Sequence, residues 1–452
     1  MSEWGWQTLG DIAAEGYGLV DGPFGSNLPA SCYVEAGIPV IRGSNLTLGA
    51  ERFIANEFVY VSEETANRLE RSIARPNDIV FTKKGTIGQT GLVPNNLPFD
   101  IYLISSNQMK LTVNEALADP TFVYYYVSSK ASQSKIKRDS EFTGVPKTNT
   151  KYLREFPIYL PPLSQQKQIA QTLDNLDLKI ENLRKQNETL EKIAQTLFKH
   201  WFVDFEFPFD FAQGKPFDFA QGKPNTDGRP YKSSGGEMVP SEIGEIPAGW
   251  RVGKLENFCD IKHGYAFKGE FITTEKTEQI LLTPGNFRIG SGFNSSKYKY
   301  YVDDDYDKDY VLDSGDLIIT MTDLSKEGDT LGYPAFVPRK VGSIFLHNQR
   351  LGKVVNNQID LFFLFFSLCR REYRSHILGS ASGSTVRHTS PSRILDYQFV
   401  VPDEKLLGQF ASVTGSLINK TFANHEQIET LIKTRDALLP KLMSGKLRVG
   451  GG

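Results

Sequence analysis

Val401–Lys405, VPDEK, come closest to a catalytic signature in this chain. Pro-Asp followed by acid-x-Lys marks many nucleases, where two separated acidic ligands and a lysine surround one cation. Here a single Asp403 would have to fill both ligand roles, and the matching stretch Leu160–Ser164, LPPLS, holds no acid. Asp403 reads better as a helix N-cap, like Ser164. No GxxxxGK[ST], HExxH, paired CxxC, Gly-rich dinucleotide loop or Asn/Asp-Pro-Pro-aromatic loop is present, and the six histidines are scattered. The expected catalytic residues are none, and so are the expected metal ligands.

What remains is a set of loops dense in hydrogen-bond donors. Lys83 and Lys84 sit beside the glycines of KKGTIG (Lys83–Gly88). TGVPKTNTKYLR (Thr143–Arg154) offers Lys147, Asn149 and Lys151. SASGSTVRHTSPSR (Ser380–Arg393) offers Arg387, His388, Ser390 and Arg393, and follows Arg370, Arg371 and Arg374. Such side chains donate to phosphates and to base edges in a major groove. The plainer alternative is a solvated face for each Lys/Arg run and a tight turn for the lone GxxG. The acidic Tyr298–Tyr310 is unsuited to phosphate and reads as a surface hairpin.

A formal net charge of −2 over 452 residues means that any polyanion-binding face must be local. The three cysteines (Cys32, Cys259, Cys369) are odd in number and far apart. With the polar opening MSEWGWQTLGD they fit a reducing cytoplasm, and the most apolar run, Leu361–Leu368, is too short to span a bilayer.

These loops need elements to position them, and the chain spells those elements twice. At an offset of 241, Asn107–Gln108 answers to Asn348–Gln349, Asp119 to Asp360, Thr148 to Thr389 and Pro161 to Pro402. Each copy begins with an α+β domain and ends in a long helix. The expected fold is α+β: two similar target-reading domains joined by an antiparallel two-helix coiled coil, with pseudo-two-fold repetition. The expected boundaries are 1–160 for the first domain and 161–206 for the first helix. A connector at 207–245, a second domain at 246–401, and the second helix with its tail at 402–452 follow. The connector carries FDFAQGKP twice in tandem, Phe209–Pro224. Gly and Pro in each unit forbid helix, so the duplication is slack in a surface segment.

Ile169, Leu173, Leu176, Ile180, Leu183, Asn187, Leu190, Ala194 and Leu197 alternate in steps of four and three, a coiled-coil seam of about four heptads. Phe410, Thr414, Leu417, Thr421, Asn424, Ile428, Leu431, Arg435 and Leu438 repeat it. If an antiparallel two-fold axis relates the copies, Asn187 faces Asn424 and Leu183 faces Ile428. The same symmetry predicts neighbouring termini. Apolar residues near the helix ends, Phe198, Trp201, Phe202, Leu439 and Leu442, are candidates for partner docking or for packing against the chain's own domains.

The chain resembles the specificity subunits of type I restriction–modification enzymes over nearly its whole length. The resemblance rests on the W-x-x-x-x-L openings and on Phe156–Ile169, which leads into the first long helix. LFKHWFVDFEF (Leu197–Phe207), GEMVPSEIGEIPAGW (Gly236–Trp250) and LLPKLMSGKL (Leu438–Leu447) complete it. It implies a non-catalytic reader of a bipartite, asymmetric site in double-stranded DNA, with Lys147 against His388 and Asn149 against Ser390 as unlike readers. It implies docking of two modification subunits that carry S-adenosylmethionine, no cofactor on this chain, no membrane, and motor–nuclease subunits where restriction occurs. Where the family often has Arg in the D-[IL]-[VI]-[FI] turn, this chain has Lys83 and Met321, so the second turn lacks the cation for a phosphate role. The rival readings are a methylation or phage-defence complex without the motor nuclease, a fused nuclease–methyltransferase, and a coiled-coil scaffold with no DNA role.

Overall fold

Short runs of β-branched and aromatic residues between Gly, Asn and Pro become strands. The computed structural model describes residues 4–49, 51–55, 58–141, 148–210, 215–216, 228–340 and 342–448. In chain order its helices are α1 (Glu63–Arg68), α2 (Pro120–Val127), α3 (Lys130–Glu141), α4 (Thr150–Arg154) and α5 (Leu163–Phe202). They continue with α6 (Leu361–Ser367), α7 (Arg371–Ser380), α8 (Pro391–Leu395) and α9 (Glu404–Met443). The chain forms two units: Met1–Leu183 with Ile428–Gly452, and Arg184–Gln427.

In the first unit a four-stranded antiparallel sheet runs in the order Leu19–Asp21, Gln108–Leu111, Ile79–Thr82, Thr90–Leu92. The strand pair Ile79–Thr82 and Gln108–Leu111 is buried throughout. Its one charged member, Lys110, places Nζ 3.3 Å from Asp78 Oδ2, so the buried cation is paired. A five-stranded sheet holds the parallel pairing of Ile38–Ile41 with Tyr102–Ile104. Gly5–Thr8 pairs with Pro157–Leu160, which sets the start of the chain beside the strand that feeds α5. The core gathers Leu9, Ile12, Phe122, Leu153, Ile158, Ile169 and Leu173, and from the far end of the chain Leu442 and Met443. The described termini are neighbours: a Cβ placed on Gly445 would lie 3.5 Å from the Trp4 ring.

The second unit repeats this topology. Its four-stranded sheet runs Asp260–His263, Leu351–Val355, Leu317–Thr320, Pro334–Phe336, and its five-stranded sheet pairs Gln279–Leu282 in parallel with Ile344–His347. Arg251–Lys254 pairs with Gln398–Val401. The Asp78–Lys110 pair recurs as Asp316 and Lys353, 2.6 Å apart. Strand register corrects one equivalence. Gln108 sits opposite Thr82 and Leu351 opposite Thr320, so the counterpart of Gln108 is Leu351, two residues beyond Gln349. The acidic stretch departs from a surface hairpin, because Lys299–Tyr301 pairs on both edges within the five-stranded sheet and buries Tyr301. In the connector, Phe209–Asp210 pairs with Lys215–Pro216; the rest of the tandem repeat lies outside the described residues.

The long helices are equal in length and in position within the repeat: α9 is α5 displaced by 241 residues, from 163 to 404 at the start and 202 to 443 at the end. Asp403 Oδ1 caps α9 by accepting from the amide of Lys405 at 2.9 Å. Ser164 does not cap α5, which already begins at Leu163, with the Pro162 carbonyl accepting from the amides of Gln165 and Gln166. In the first unit the helices meet through Ile180, Leu183 and Ile428, with Leu431 half-buried beside them, and Leu173 joins that unit's core. In the second, Asn424 Nδ2 donates to Asn187 Oδ1 at 2.8 Å. Leu176, Leu190 and Leu417 line the same faces half-buried.

Of the two alternatives for the helix ends, the structure shows packing against the chain's own domains. Phe198, Trp201 and Phe202 are buried in the second unit's aromatic core, where Phe202 stacks edge-on against Phe363 and Phe410 at 4.9 Å each. Leu442 is buried in the first unit's core, with Leu439 packed half-buried against it. Large apolar side chains at an amphipathic helix end are covered here by the domain that each helix carries.

Candidate nucleic-acid interface

In the first unit the turn between Ile79–Thr82 and Thr90–Leu92 carries Lys83 and Lys84. The Lys83 amide donates to the Asn107 carbonyl at 2.7 Å, and the Lys83 carbonyl accepts from the Thr148 amide at 3.1 Å. Thr148 Oγ1 adds a bond to the Thr82 carbonyl at 3.2 Å. These bonds seat the turn against the segment that enters α4. There Asn149 is the N-cap, its Oδ1 accepting from the Tyr152 amide at 2.8 Å, and Lys151 is exposed one residue into the helix. Lys83, Lys84, Asn149 and Lys151 thus belong to one hydrogen-bonded loop cluster. Lys84 is exposed, whereas Lys83 Nζ is 3.1 Å from Asp21 Oδ1, an ion pair that a phosphate would have to compete with. Lys147 lies outside the described residues.

The second unit builds the same framework from different side chains. The Thr389 amide donates to the Met321 carbonyl at 3.0 Å, as Thr148 does to Lys83. Ser390 caps α8 through the Arg393 amide, as Asn149 caps α4. Met321 itself is buried, so this turn offers no cation at the Lys83 position. Arg387–His388 instead pairs antiparallel with Thr322–Asp323. Arg387 Nε donates to the Lys326 carbonyl at 3.0 Å, His388 Nδ1 lies 3.2 Å from Thr322 Oγ1, and Arg393 Nη1 lies 3.4 Å from Ser382 Oγ. All four expected residues of this loop come together, with His388 exposed and Arg387, Ser390 and Arg393 half-buried.

Two residues support this loop, and one of them, Asp323, escaped the sequence reading. Asp323 is buried and accepts from the Ser325 amide at 2.7 Å, from Thr330 Oγ1 at 2.6 Å and from the Thr330 amide. Burial works to raise its pKa, but the Thr330 hydroxyl and the Ser325 and Thr330 amides outweigh burial and hold the carboxyl below its ordinary range. Arg374, grouped in the sequence with Arg370 and Arg371, bonds the carbonyls of Leu331 and Gly328 and lies over the Tyr333 ring at 4.6 Å. Gly328 takes φ +67° at this point, a turn that suits glycine. The D-x-[ST] spacing of Asp323 and Ser325 is the one local signal that marks the turn.

The described part of each loop is therefore a hydrogen-bonded backbone platform carrying Lys and Asn in one unit and Arg, His and Ser in the other, which suits an anionic partner with hydrogen-bonding edges. Among the described residues no group of His, Cys, Asp and Glu could hold a metal, and no helix is long and apolar enough to cross a membrane.

Comparison with known proteins agrees with this layout. Residues 31–192 match the family described as the type I restriction modification DNA specificity domain. The MjaIX specificity subunit of Methanocaldococcus jannaschii, a type I restriction enzyme component, is 27% identical over 403 residues, covering 87% of this chain and 84% of its own. The chain is similar to type I specificity subunits over most of its length. The HindI specificity subunit of Haemophilus influenzae is 22% identical over 81% of this chain and 87% of its own. The crystal structure of the type I S subunit from M. genitalium shares the fold, with a TM-score of 0.54, 15% identity, and coverage of 97% and 96%. The relatives are named as specificity subunits of type I restriction enzymes.

Proposed function

We propose that the chain reads a split, asymmetric site in double-stranded DNA, one unit per half-site, and scaffolds the modification subunits of a type I complex. The observation that carries this reading is the duplicated loop platform with unlike side chains. The Thr148–Lys83 and Thr389–Met321 amide bonds and the capped helices α4 and α8 are common to both units. The side chains presented are Lys84, Asn149 and Lys151 in one, and Arg387, His388, Ser390 and Arg393 in the other. Equal scaffolds with different donors suit two unlike half-sites. A helix of 40 residues is about 60 Å long, a length available to set the spacing between half-sites.

In this reading S-adenosylmethionine sits on two modification subunits, and motor–nuclease subunits join for restriction. Docking uses a surface other than Phe198, Trp201, Phe202 and Leu442. The cytoplasm is the compartment where such a complex meets DNA. The test is methylome sequencing of a host that expresses this chain with its modification subunit. A split, non-palindromic methylated motif is expected; methylation without sequence preference refutes the reading.

A further inference from the structure

The polar residues on the helix seam are unevenly distributed, and the unevenness carries information. In the first unit Arg435 Nη1 donates to Asp177 Oδ1 at 2.8 Å, with side chains only 8% and 11% exposed. In the second unit the pair is Asn424 to Asn187, both buried. The internal offset of 241 names the counterpart of each residue. Asp177 corresponds to Ile418 and Arg435 to Ala194, and both counterparts belong to the second unit's apolar cluster. Asn187 corresponds to Ile428 and Asn424 to Leu183, and both belong to the first unit's small apolar cluster. Each polar pair thus has an apolar pair as its symmetry mate.

The consequence is a pairing code. A second α5 in the same antiparallel register would set the Asp177 carboxylate against Ala194 and the Asn187 amide against Leu183. A second α9 would set Arg435 against Ile418 and Asn424 against Ile428. A desolvated charge that loses its partner is far more costly than the matched pair, and single polar seam residues are known selectors of helix partners. Only α5 against α9 gives each of the four groups a polar partner across the seam, although Arg435 also bonds Asp436 on its own helix.

We propose that this seam is an interaction surface coded for the opposite helix and closed to self-pairing, so that neither half of the chain accepts a second copy of itself. Its functional consequence rests on the reading of one half-site per unit: a self-paired half would read a palindrome, and the seam forbids that assembly.

The test uses full-length variants that rebuild each self-pairing within one chain. N424L/R435A gives α9 the seam side chains of α5, and D177I/N187I gives α5 those of α9. All are made in a Y125F background, because Tyr125 Oη donates to Asp177 at 2.7 Å. The four-site variant carries an apolar pair at every one of these positions. Each two-site variant is expected to lose more than about 5 °C of thermal midpoint, or to be insoluble, while the four-site variant returns to within about 2 °C of the Y125F parent. A two-site variant that keeps the parent midpoint overturns the proposal. A four-site variant no more stable than the two-site ones also overturns it, because lost contacts rather than mismatch would then explain the effect. No DNA enters the measurement, so its outcome is separate from that of the recognition reading.

Discussion

Replacing Asp323 with alanine removes the acceptor that organises the turn over residues 324–330. Two backbone amides, of Ser325 and Thr330, and the Thr330 hydroxyl lose their partner. At about 1–3 kcal/mol for each buried group left unsatisfied, reduced because this turn reaches solvent, the local order falls by about 2–4 kcal/mol. The Lys326 carbonyl that holds Arg387 Nε at 3.0 Å belongs to that turn, so Arg387 loses its fixed position. If Arg387 contributes about 1–3 kcal/mol of base discrimination, D323A should lower the selectivity of one half-site by about tenfold and leave the other unchanged. D323N, which keeps one acceptor oxygen, should fall between. The assay is competition binding of the complex with its modification subunit to duplexes altered one base pair at a time. The sign of the pH dependence follows from the depressed carboxyl: its contribution is present above the ordinary value of 3.8 and is lost as pH falls through the folded-state pKa. Wild type and D323A should therefore differ at neutral pH and converge only in strong acid. Uniform weakening across all duplexes, or unchanged selectivity at both half-sites, would refute the positioning argument.

Lys110→Met should leave the buried Asp78 carboxylate without its cation, held only by Thr112 Oγ1 and the Arg75 amide, and cost about 3 kcal/mol in denaturant unfolding, with D78N/K110M recovering most of it; a K110M chain of native stability would contradict this. His347 is buried with Nε2 against the Leu351 carbonyl at 2.9 Å, and burial lowers its pKa from 6.5 to about 4. Between those values the unfolded chain binds a proton that the folded chain does not, so stability should fall by up to about 3 kcal/mol as pH drops across the window. His347→Gln should flatten that slope in urea titrations at pH 7 and 5. Cutting one FDFAQGKP copy yields the same product whichever copy is removed, and it retains the phenylalanine that packs edge-on against Tyr231 at 4.9 Å. The methylated motif and its spacing should not change; a shifted spacing would show that the connector sets geometry.

Much of this molecule was legible as pattern. The alternation of four and three that runs from Ile169 to Leu197 follows from 3.6 residues per turn, and its copy 241 residues later made the pairing of Asn187 with Asn424 a matter of register. Strands, turns and the Asp403 cap are likewise local, because backbone geometry repeats every two or four residues and the side chains must follow it. Burial and long-range partnership have no such period. Nothing near Phe198, Trp201 or Leu442 distinguishes a helix end covered by its own domain from one awaiting another subunit. Nothing in KKGTIG shows that Lys83 meets Asp21, sixty-two residues earlier, nor in TDLS that Asp323 organises the loop beneath Arg387. The two-residue slip that makes Leu351 the counterpart of Gln108 was invisible for the same reason. Those facts depend on where distant loops close, and only the closing of the sheets brings such residues within bonding distance.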